Sequence, residues 1–156
     1  MVPYLVDAED LVKWVDRIES RYDLPDLIRR LVLATASPRE LVFRAREGTG
    51  YSGWDGFVDA PAGTTYVPQG VSGWEMGVGV DVAQKVADDY TKRSRNPRPC
   101  VKAETTFVFC TSRRWAGRDA WVAARRARTR WAGLRTLALT KASVQSLRPN
   151  FAFMGL

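Results

Sequence analysis

With 156 residues, 46% of them hydrophobic and none of them histidine, the chain has the size of one ordinary domain and lacks the imidazole that Ser-His-Asp, Cys-His and nearly all catalytic zinc sites require. Its net charge of +7 is unevenly spread, with 9 Lys and Arg against 15 Asp and Glu in residues 1–91 (net −6) and 15 against 2 in residues 92–156 (net +13). No apolar run approaches the roughly 18 residues of a membrane span, and Cys100 and Cys110 are too few for a disulfide framework or a zinc site.

In chain order, Leu11, Trp14, Val15, Ile18 and Tyr22 recur at helical spacing and predict an amphipathic helix over about 7–21. Leu24, Leu27, Ile28 and Leu31 predict a second, with Asp23 as N-cap and Pro25 in its first turn. The opening "MVPYLVDAED" has no basic n-region and is not read as a secretory signal, so a cytoplasmic protein is expected. Short β-rich runs follow: "LVFRA" at 41–45, "WDGFVDA" at 54–60, "TTYVP" at 64–68 and "GWEMGVGV" from 73, bounded by Gly and Pro as in a meander.

A helix is expected over about 81–94, with Asp81 as N-cap and Val82, Val86, Ala87 and Tyr90 inward. Lys85, Asp88, Asp89 and Lys92 then fall on the opposite, solvated face, joined by the i,i+4 pairs Asp81–Lys85, Asp88–Lys92 and Asp89–Arg93. "ETTFVFCTS" at 104–112 reads as a strand buried on both faces, reached by a helical crossover from the strand before it. A helix over 117–129, with Trp121 and Val122 inward and arginines outward, leads to a last strand, "LRTLAL", at 134–139. The sum is αα-βββ-α-β-α-β, an α/β chain with a mixed sheet flanked by helices: one domain over 1–140 and an atypical tail over 141–156.

Two near-copies stand out: "SGWDG" at 52–56 and "SGWEMG" at 72–77, each with a carboxylate directly after Gly-Trp. If Asp55 and Glu75 converge at one sheet edge, two hard oxygen ligands suit Mg²⁺, which polarises a phosphodiester. The bland reading is turn chemistry, with tryptophans in the core and acids exposed. Lys85, ten residues after Glu75, is placed to stabilise negative charge on a phosphate, or else only to serve a surface ion pair. The basic half reads either as a polyanion surface, normally nucleic acid, or as a solvated face. General acid–base hydrolysis of a sugar also uses two acids, but the basic charge suits it poorly.

The order "GWDG", "YVPQGVSGWEMG", "KVADDYTKR", "TTFVFCTSRRW" resembles the restriction-endonuclease-like, PD-(D/E)XK-type domain found at the N-terminus of many bacterial proteins, over about residues 20–132. Many of those proteins are large, with an NTPase or repeat region and a presumed role in antiphage defence. The resemblance implies an αβββαβ core and a metal-dependent DNA endonuclease, with Asp55 and Glu75 as metal-binding acids. The usual lysine two residues after the second acid is Gly77 here, so Lys85 would supply it from the helix. Arg113, Arg114, Arg118, Arg125 and Arg126 would contact DNA phosphates without reading sequence. The alternative is a nucleic-acid-binding module whose catalytic site has degenerated.

Overall fold

The computed structural model describes residues 20–44 and 53–139. The helix expected over about 7–21, except its last residues, and the tail over 141–156 lie outside them. Helix α1 (Ser20–Thr35) presents Leu24, Ile28, Leu31 and Val32 at three- and four-residue spacing, and all four are buried. It does not begin at Asp23 as expected. Both Asp23 and Pro25 lie inside it, and at its sixth residue the proline forfeits only one bond, to the carbonyl four residues back.

Strands β1 (Glu40–Phe43), β2 (Gly56–Ala60) and β3 (Gly70–Gly77) form an antiparallel meander. The strand expected over 64–68 is absent. That segment closes on itself, with Thr64 N–H donating to Val67 O at 2.8 Å and Val67 N–H donating to Thr64 Oγ1 at 3.1 Å. Two of its amides are thereby satisfied locally, and Val67 is a buried plug that supplies much of the apolar signal that suggested a strand.

Helix α2 (Val82–Arg95) begins as expected, Asp81 accepting from Gln84 N–H at 3.0 Å. It carries the chain across to β4 (Thr105–Thr111) by way of a short 3-10 turn at Lys102–Glu104. Helix α3 (Arg118–Arg126) then leads to β5 (Gly133–Ala138). β3, β4 and β5 are parallel, and the five-stranded mixed sheet has the order β1-β2-β3-β4-β5. The molecule is an α/β protein, and none of its described helices is long and apolar enough to cross a membrane.

Two cores separate at the sheet. On one face α1 meets Phe43, Val58, Trp74, Met76, Val108 and Cys110; on the other, Val82 and Val86 of α2 and Trp121 of α3 meet Trp54, Phe107 and Phe109. β4 serves both, its side chains alternating between them, which is why it reads as a continuous apolar run. The two Gly-Trp pairs are therefore core pairs on opposite faces. Trp74 packs edge-on to Phe43 (5.7 Å between centroids), whereas Trp54 packs edge-on to Trp131 (5.7 Å). Each buried indole contributes on the order of 2–3 kcal/mol from removal of apolar surface from water.

Candidate active site

The pairing Gly56↔Trp74, continued by one residue, sets Asp55, just before β2, opposite Glu75 on β3. Local bonds fix this approach. Asp55 N–H donates to Trp74 O at 3.1 Å, and Asp55 Oδ2 accepts from Met76 N–H at 2.9 Å. The two acids that follow Gly-Trp in the sequence thus stand side by side, because an antiparallel hairpin brings residues 55 and 75 into register.

Lys85 joins them from α2. A β-carbon on Gly77 would stand 2.8 Å from Lys85 Cγ, so the lysine stem lies directly over the glycine two residues beyond Glu75. Glu75 and Gly77 share one face of β3. The ammonium group donates to Asp89 Oδ1 at 2.8 Å.

The expected assignment of α2 faces needs correction. Asp89 and Arg93 are only 5% and 3% exposed and face the sheet. Asp89 pairs with Lys85, and Arg93 Nε donates to Glu75 Oε1, in place of the pairs Asp81–Lys85 and Asp89–Arg93. Asp88, also without its expected lysine, accepts from Gln84 at 2.8 Å. A sequence signal for this existed: Asp89 and Arg93 stand seven residues after Val82 and Val86, hence on the same helical face. Buried charges are rare unless paired; Asp89 finds its partner one turn away in Lys85, and Arg93 finds its own in Glu75 and Gly53, on other elements.

Arg93 organises the inner side of the site. Besides Glu75, it donates through Nη2 to Gly53 O, and its guanidinium lies 5.2 Å over the Trp54 ring. Gly53 has φ +86°, and a β-carbon there would meet Arg93 Nη1 at 2.5 Å. Glycine is needed on both counts.

The electrostatics follow from this crowding. Burial, reinforced by the charge of Asp55, pushes the Glu75 carboxyl up to about 8 against the opposing pull of Arg93. Burial also raises Asp89, although Lys85 pulls it down. For Lys85, burial acts to lower the pKa, but the bond and charge of Asp89, together with Glu75 and Asp55, outweigh it and raise the value.

The arginines do not form one wall. β3 and β4 end together, Gly77 opposite Thr111, so Arg113 and Arg114 emerge at the edge that carries the acids, and Arg113 Nε donates to Val78 O at 2.8 Å. Arg118 opens α3 near the same edge. The helix then runs back toward the start of β5, which pairs with Thr106 at the far edge. Arg126 there lines a cavity of about 430 Å³ together with Gln69, Trp131 and Arg135. Arg125 does not point freely outward: its guanidinium stacks 4.2 Å from the Trp121 ring and 5.9 Å from that of Tyr90. The expected single patch is divided because α3 leads away from the edge that carries the acids, and Arg126, at its end, lines a cavity with residues near the start of β5.

Among the described residues, no group of three or more His, Cys, Asp or Glu side chains is placed to hold a metal ion together. Asp55 and Glu75 are a two-carboxylate set. No protein-family model, curated protein or solved structure matches the chain.

Proposed function

We propose that the chain is a metal-dependent endonuclease domain acting on DNA, with Asp55 and Glu75 holding Mg²⁺ and Lys85 completing the site. The observation that carries this reading is the placement of Lys85 over Gly77, on the strand face of Glu75 and within reach of the charge of Asp55. The order α-βββ-α-β over residues 20–111 agrees with the core that the resemblance implies, and antiphage defence is the setting it suggests.

The donor set fits the cation. Two carboxylates without nitrogen or sulfur ligands suit Mg²⁺, which keeps several waters and rarely takes a full protein cage. Bound there, it would supply Lewis-acid stabilisation of charge on a phosphodiester. The chain's own groups do the rest. Asp55 is fixed by Met76 N–H, so its carboxylate needs little reorganisation. The Lys85 ammonium, anchored by Asp89, offers positive charge to a phosphate gaining negative charge. Arg113, Arg114 and Arg118 would bind flanking phosphates and set the strand's position.

The test is cleavage of plasmid DNA in Mg²⁺ by the purified protein. Asp55→Ala, Glu75→Ala and Lys85→Ala should each lower the rate by about a hundredfold or more, and undiminished cleavage by the variants would reject the assignment.

One observation favours the alternative of a binding module with a degenerate site. Arg93 already bonds Glu75 Oε1, placing an internal cation where an external one would be needed. On that reading DNA binding is salt-sensitive, indifferent to EDTA and never followed by cleavage.

A further inference from the structure

Among the described residues, three buried side-chain atoms have no hydrogen-bond partner: Asp89 Oδ2, Ser112 Oγ and Trp121 Nε1. Two belong to neutral groups. The third belongs to a carboxylate, for which the cost of a missing partner is greatest. Asp89 is only 5% exposed, so bulk water does not supply that partner.

Its place in the fold says what does. Lys85, one turn before it on α2, lies against Gly77, and Arg93, one turn after it, reaches Glu75 and Gly53. Asp89 is thereby held over β3 between those two anchors, and its charge is felt at Glu75 while that of Asp55 is felt at Asp89. Oδ1 is taken by Lys85 at 2.8 Å, while Oδ2 of this carboxylate, near enough to both acids for their charges to act on one another, remains unpartnered.

We propose that Asp89 is the outer acceptor of the metal site: Oδ1 positions the Lys85 ammonium, and Oδ2 accepts a hydrogen bond from the hydration water of the divalent cation held by Asp55 and Glu75. The proposal rests on the metal reading above. A direct third ligand is not what the geometry offers, since no three such groups are placed to share an ion. A hard divalent cation held by two carboxylates keeps several water ligands, which are strong donors in need of acceptors. A buried, half-satisfied carboxylate one shell out meets that need, and outer partners of this kind orient the inner shell and strengthen metal binding.

Mn²⁺ is the probe, titrated into the metal-free full chain, with water-proton relaxation reporting both affinity and the number of waters on the ion. Asp89→Asn, nearly identical in shape, should bind Mn²⁺ about tenfold more weakly with that number unchanged. Asp89→Ser, which leaves room for water, is the second variant, and unfolding curves in EDTA establish that both fold. Lys85→Met removes the ion pair but keeps the carboxylate and should tighten Mn²⁺ binding by removing a nearby positive charge. Unchanged affinity in Asp89→Asn overturns the proposal. So does one additional water on the ion, which would mark a direct ligand, or equal weakening by Lys85→Met, which would mean that Asp89 acts only through Lys85. If the wild-type chain binds no Mn²⁺, the metal reading itself fails, a result distinct from normal wild-type binding left unaltered in the variants.

Discussion

Lys85 and Gly77 are in van der Waals contact across two elements: the lysine stem fills the space that any side chain at position 77 would claim. The strand position two residues after Glu75 thus has the stem of a helix lysine lying over it. If the location of the ammonium is what matters, the group can be moved back. Lys85→Ala should lower DNA cleavage by about a hundredfold, and Gly77→Lys combined with Lys85→Ala should recover at least about tenfold of that loss, read as the rate of plasmid nicking. A double variant no faster than Lys85→Ala alone would mean that the lysine does not act from this place.

Arg93 meets three groups, the Glu75 carboxyl, the Gly53 carbonyl and the Trp54 ring. Arg93→Met keeps much of the apolar stem and removes both hydrogen bonds, leaving the Glu75 carboxyl and the Gly53 carbonyl without their donor. Unpaired buried groups cost roughly 1–3 kcal/mol each, so a loss of about 3 kcal/mol is expected in urea unfolding at neutral pH. A loss below about 0.5 kcal/mol would show that the guanidinium is not part of what holds β3 to α2.

Glu75 makes stability depend on pH in an unusual sense. Its carboxyl, raised to about 8 in the folded chain against an ordinary value of 4.5, keeps its proton where the unfolded chain has released it. Between those values the native state binds more protons, so stability falls as pH rises, by at most about 1.4 kcal/mol per unit for one group. Asp89, also raised, acts with the same sign. Denaturant unfolding in EDTA from pH 5 to 9 should show this decline, and Glu75→Gln should flatten most of it. A slope unaltered by that substitution would place the titrating group elsewhere.

The division of the arginines predicts unequal effects on DNA. Arg114→Ala and Arg118→Ala, at the edge that carries the acids, should each lower the salt slope of DNA affinity by about 1 between roughly 50 and 200 mM salt, and should raise KM for cleavage. Arg126→Ala, at the far edge, should leave KM for a short duplex nearly unaltered. Equal effects from all three would mean that DNA wraps both edges of the sheet.

Much of the fold was legible because the relevant signals are local. The 3.6-residue spacing of Leu24, Ile28 and Leu31, the apolar run within 104–112 and the N-cap at Asp81 each depend on neighbours in sequence, and each element formed there, although the first helix includes Asp23 and Pro25 instead of starting at them. The segment 64–68 misled because one buried residue, Val67, stood in for a pattern. Absence of histidine and the asymmetric charge were likewise fixed by composition alone and narrowed the chemistry before any fold was known.

The site was legible only in part. That Asp55 and Glu75 resemble each other is in the sequence; that they are neighbours follows from the hairpin register, which a shift of one residue would have undone by sending one acid to the opposite face. Asp89 and Arg93 fall by helical spacing on the face of the buried Val82 and Val86, but spacing does not say that charged side chains there will find partners. Lys85, the partner of Asp89, lies one turn away on α2 itself, but Glu75 and Gly53, the partners of Arg93, meet it only when α2 packs across β3. Tertiary contact decided these assignments because the energy of a buried charge depends on what is opposite it, and no local stretch of the chain specifies that.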